Sequence, residues 1–65
     1  MDLTEKEKNV FDLIENEIKN EDLINKAKEK GVGIKSLNML LISMKKKNVI
    51  SIEGEKDKRL IKKLN

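Results

Sequence analysis

Residues 31–50 read "GVGIKSLNMLLISMKKKNVI", and the fold depends on how that stretch divides into turn, helix and strand entry. Leu37, Leu40, Leu41 and Met44 recur at i, i+3, i+4 and i+7, the spacing that gathers side chains on one face of an α-helix. The spacing predicts a helix from about Ile34 with that stripe in the core. Lys45, Lys46 and Lys47 close it, where the helix dipole favours positive charge. Its opposite face is unusual. Lys35, Met39, Ile42 and Lys46 run along it, flanked by Ser36, Asn38 and Ser43, so two bulky apolar groups stand where a solvated helix carries polar ones.

Upstream, "NEDLINKAKEK" reads as a shorter helix capped by Asn20, with Glu21 and Asp22 suited to its positive end and Leu23, Ile24 and Ala27 facing inward. Gly31 is placed to stop it in a left-handed conformation, and Val32 between two glycines reads as a buried plug under a tight connection. Two helices so joined form a helix-turn-helix. Further back, Thr4 and Glu7 have capping-box spacing, and Val10, Phe11, Ile14 and Ile18 share a face. A first helix is predicted to about Asn16, with Ile18 in a short extended piece after it.

Downstream of Asn48 the period shifts from 3.6 to 2. "VISIE" puts Ile50 and Ile52 on one face, "GEKDK" turns, and "RLIKKL" returns as a second strand. The loop is long and charged, so the hairpin is expected to project as a wing. The architecture predicted is α+β: a winged helix-turn-helix of three helices with a C-terminal β-hairpin wing, one domain over residues 1–65.

Composition narrows the chemistry. A 65-residue chain has room for one small domain, burying about 60% of the surface its unfolded form exposes. There is no Cys and no His, which removes disulfides, thiolate nucleophiles, Cys/His zinc sites and imidazole catalysis. The carboxylates are scattered among lysines, with neither an EF-hand loop nor a Gly-rich phosphate loop ending in Gly-Lys-Ser/Thr. A non-catalytic domain without metal or cofactor is expected. No apolar run nears the roughly 20 residues of a membrane span, and "MDLTEKEKN" is charged where a signal peptide is apolar, so a cytoplasmic location away from membranes is expected. The net charge of +3 is polarised: residues 1–34 hold six lysines against nine acids, or −3, and residues 35–65 hold nine basic groups against three acids, or +6. A polyanion would prefer the second half.

Residues 21–53, "EDLINKAKEKGVGIKSLNMLLISMKKKNVISIE", resemble the C-terminal winged-helix domain of archaeal minichromosome-maintenance (MCM) replicative helicases. In that family a helix of the form Glu-(acid)-apolar-Ile-x-x-Ala ends in Gly-Ile, and a helix with paired apolar positions leads through Lys and Arg into a Gly-x-Ile strand. Ile24, Ala27, Gly31, Val32, Leu37, Leu40, Leu41, Met44 and Ile50 occupy those positions without a gap. Asn48 departs from the usual Gly, and Met39 and Ile42 replace residues the family commonly keeps charged. The helicase ATPase and its Walker motifs are absent from these residues. The resemblance implies a regulatory appendage, acting on a helicase motor domain or replication protein by contact, with weak nonspecific DNA attraction.

The candidate binding residues are Lys35, Ser36, Asn38, Met39, Ile42, Ser43 and Lys46 on the third helix and Lys58 and Arg59 on the wing. Lys and Ser can hold phosphates, Asn38 can read an adenine edge, and Met39 or Ile42 can touch a thymine methyl. Other readings stay open: Met39 and Ile42 as isolated exposed apolars, or one of them packed beneath a neighbouring segment, or the two as a lysine-framed patch for another protein. Lys56, Lys58 and Arg59 are offset by Glu53, Glu55 and Asp57, leaving the wing neutral. One Phe without Tyr or Trp offers no base-stacking platform. The domain is expected to be a monomer, and the alternative role is a small standalone DNA-binding transcriptional regulator.

Overall fold

Thr4 starts the first helix as its spacing predicts: its hydroxyl accepts from the Glu7 amide at 3.2 Å, and the Glu7 carboxylate accepts from the Thr4 amide at 2.9 Å. In the computed structural model, which describes residues 3–55 and 58–64, helix α1 runs Glu5–Ile14 and ends two residues short of Asn16. Glu15 causes the early stop, because its φ of 61° takes the chain out of the right-handed helix. The next residues form strand β1, Glu17–Lys19, with Ile18 pointing inward and its neighbours exposed.

Helix α2 spans Asn20–Glu29. Asn20 is its first residue rather than its cap. Lys19 holds the cap position with no side-chain hydrogen bond, and Asn20 is buried, its amide donating to the Arg59 carbonyl at 2.9 Å. Strand pairing therefore uses the amide that starts the helix. At the other end Val32 donates to the Ala27 carbonyl at 2.8 Å and Gly31 to Lys28 at 3.0 Å, with Gly31 at φ +79°. These two bonds and the left-handed residue are a Schellman motif.

Helix α3, Ile34–Lys46, ends the same way. Asn48 sits at φ 60°, its amide donating to Lys45 at 3.0 Å and that of Val49 to Met44 at 3.2 Å. Asn tolerates this left-handed conformation, which Gly more often fills at helix ends. Leu37, Leu41 and Met44 are buried, whereas Leu40, like Ile24 and Val32, is only half-buried against the edge of the core.

Strands β2, Ile50–Glu53, and β3, Leu60–Lys63, form the expected hairpin, and β1 adds to it as a third antiparallel strand in the order β1-β3-β2. Ile61 is the register point, opposite Ile18 on one side and Ile52 on the other. Their shared face closes over Val10, Phe11, Ile14, Leu23, Leu37 and Met44 from the helices, giving a single core. Lys63 emerges from that face with its ammonium 4.4 Å from the centre of the Phe11 ring. The solvent face carries a Glu53–Lys62 ion pair at 3.2 Å. The fold is thus a small α+β unit, three helices against a three-stranded antiparallel sheet. Lys56 and Asp57, which entered the neutral-loop reading, lie outside the described residues.

Candidate binding face between the third helix and the sheet

The packing of Leu37, Leu41 and Met44 inward fixes which side of α3 meets solvent. Met39 is 72% exposed and Ile42 56%, so neither tucks beneath a neighbouring segment. Lys35, Ser36 and Lys46 are exposed along the same surface.

Asn38 sits differently. It is half-buried and, with Leu41 and Ile42, forms one wall of a groove whose other wall is Ile52, Arg59 and Ile61 of the hairpin. Asn20, at the start of α2, closes the end. The groove encloses about 210 Å³ over a floor of Leu41 and Ile61, both almost wholly buried. Three of the nine candidate residues, Asn38, Ile42 and Arg59, therefore meet in one concave feature. Lys58 is exposed and lines, with Arg59, Lys19, Glu21 and Leu60, an adjoining basic cleft at the β1 edge.

Ser43 is turned away from this face. It is half-buried and faces the carboxylate of Glu7 on α1. That carboxylate is the centre of a second polar feature, since Lys47 reaches it with a 2.6 Å ion pair. The Lys47 ammonium, then Ser43 and the Thr4 amide, hold the Glu7 carboxyl down at about 2, below its ordinary 4.5. Lys47 thus differs from Lys45 and Lys46, with which the sequence groups it as a solvated helix end. Nothing local signals the pair, because its partners are 40 residues apart.

Sequence reasoning also misses Asn20, Ile52 and Lys19 as parts of this surface. Lys19 and Asn20 are brought to Arg59 by β1 pairing with β3, which "NEIKN" by itself does not announce, and Ile52 is placed by its register opposite Ile61 in the hairpin. Among the described residues, no group of three or more His, Cys, Asp or Glu side chains could hold a metal ion, and no helix is long and apolar enough to cross a membrane.

The charges around the groove are mostly positive. Lys35 lies one turn before Asn38 on α3, Lys45 and Lys46 one turn after Ile42, and Lys58 and Arg59 stand at the hairpin side. Glu21, Glu53 and Glu55 are the neighbouring acids; Glu53 is engaged by Lys62, and the Glu55 carbonyl accepts from the Lys58 amide at 3.0 Å. Comparison with protein-family models, with curated proteins and with solved structures found no match to this chain.

Proposed function

We propose that the chain is a winged helix-turn-helix domain that binds rather than catalyses, with α2 and α3 as the helical pair and the β2–β3 hairpin as the wing. It docks on another protein through the outer face of α3 and the adjoining groove, and its basic half adds weak nonspecific attraction to DNA. By its resemblance to archaeal MCM C-terminal domains, its role is to modulate a replicative helicase motor.

The observation that carries the docking reading is the position of Asn38. A helix that reads DNA projects hydrogen-bonding side chains from a convex surface into the major groove. Here the amide best suited to a base edge is half-buried in a recess, and the most prominent side chains on the face are Met39 and Ile42. Apolar anchors with a charged rim are what protein interfaces use. The lysines around them supply a salt-sensitive pull toward phosphates without sequence choice.

Fluorescence anisotropy with several duplexes of unrelated sequence tests this. The expected dissociation constants are about 10⁻⁴ to 10⁻⁶ M or weaker at physiological salt, alike for every duplex. A nanomolar complex with one sequence would overturn the reading and favour a standalone DNA-binding transcriptional regulator.

A further inference from the structure

The groove between α3 and the sheet is more specific in shape and charge than a general docking face. We infer that it takes a short acidic segment of a partner protein, with one aliphatic or Met side chain seated between Ile42 and Ile52 and flanking carboxylates on the basic rim. This rests on the docking reading above and narrows it to a partner chemistry.

Size argues first. At about 210 Å³ the groove falls below the roughly 300–1,000 Å³ of sites that enclose small molecules, so it suits a side chain or two from a larger partner. Its floor and walls are aliphatic at Leu41, Ile42, Ile52 and Ile61, which rewards an apolar anchor. Asn20 and Asn38 line the same recess and carry both donors and acceptors for a bound backbone.

Charge argues next. Arg59 lines the groove, Lys58 lines the adjoining cleft, and Lys35, Lys45 and Lys46 lie within a turn of Asn38 or Ile42 on α3, all in a half-chain of net +6, with Glu21, Glu53 and Glu55 as the neighbouring acids. Acidic groups flanking the anchor complement that rim and are steered to it. DNA satisfies the charge and leaves the recess unfilled, since a phosphate backbone has no apolar side chain to insert. A second copy of the chain fits less well. The large apolar side chains exposed among the described residues are Ile34, Met39, Ile42 and Leu64, and apart from Ile34, at the boundary, all lie in the basic half, so the acidic half has no protruding anchor beyond that edge.

A random short-peptide library displayed on phage, selected on the whole chain at physiological salt, gives the test. Enriched peptides are then titrated into isotope-labelled protein and followed by amide shifts. The expected result is Leu, Ile or Met flanked by Asp or Glu, largest shifts at Asn38, Ile42, Ile52 and Arg59, and about tenfold weaker binding in both Ile42→Ser and Arg59→Glu with melting temperatures retained. Neutral or basic peptides in the groove would overturn the acidic partner while leaving protein docking intact. No peptide in the groove, with duplex DNA shifting Asn38 and Ile42 instead, would overturn both. Concentration-dependent self-association that moves the same amides would replace the partner with a second copy.

Discussion

Glu7 ties two levels of the structure together. One oxygen of its carboxylate accepts from the Thr4 amide at 2.9 Å, closing the capping box, and from the Lys47 ammonium at 2.6 Å, joining the first turn of α1 to the end of α3. The other oxygen is buried without a hydrogen-bond partner among the described residues, an uncompensated cost that makes the Lys47 charge more important to the site. Because the folded-state value is depressed to about 2 from an ordinary 4.5, the ionised form stabilises the fold at neutral pH, and that contribution is lost as pH falls through this window. Thermal melts of the protein and of Glu7→Gln, run across the same pH range, should therefore converge toward pH 2; curves that stay parallel would show that Glu7 contributes nothing through its charge. The three consecutive lysines are likewise unequal. Lys47→Met is expected to lower the melting temperature more than Lys46→Met, because only the former strips a buried carboxylate of its cation.

Within α3, each face makes its own prediction. Leu41 is 3% exposed, and Leu41→Ala should cost about 2–5 kcal/mol by chemical denaturation, a large share of what so small a domain holds. Leu40→Ala should cost less, since Leu40 only edges the core. Replacing both Met39 and Ile42 with Ser should change stability by no more than about 0.5 kcal/mol each, as exposed positions do. A larger loss would mean that these side chains pack into the fold rather than await a partner. The elements themselves are legible in the sequence because their signals are local: Thr4 with Glu7, the Leu37-to-Met44 stripe, Gly31 and Asn48 at the helix ends, and the change of period at Ile50 all act within a turn or two. What is hidden is non-local. The β1–β3 pairing buries Asn20, converting an expected cap into a core position, and Glu7 takes Lys47 from an apparently solvated lysine run. The binding face is half-visible for the same reason: Met39 and Ile42 are exposed as the helical period implies, whereas the groove needs Ile52 and Arg59 from another element.

Along the whole chain, residues 1–34 carry a net −3 and residues 35–65 a net +6, with the exposed apolar residues Met39, Ile42 and Leu64 in the basic segment and Ile34 at its edge. Such a surface attracts polyanions from a distance and offers an apolar recess at contact, so attraction and recognition are separable in space. Lysine-only attraction weakens steeply with salt, while seating an apolar side chain in the groove does not. Residue-resolved amide shifts during a duplex DNA titration at low and physiological salt are the most direct test of the claim that this face docks protein and does not read DNA. Shifts are expected at Lys35, Lys45, Lys46 and Lys58 that fade together as salt rises, with Asn38, Ile42 and Ile52 unmoved; shifts at Asn38 and Ile42 that persist at physiological salt and depend on the duplex sequence would contradict the claim.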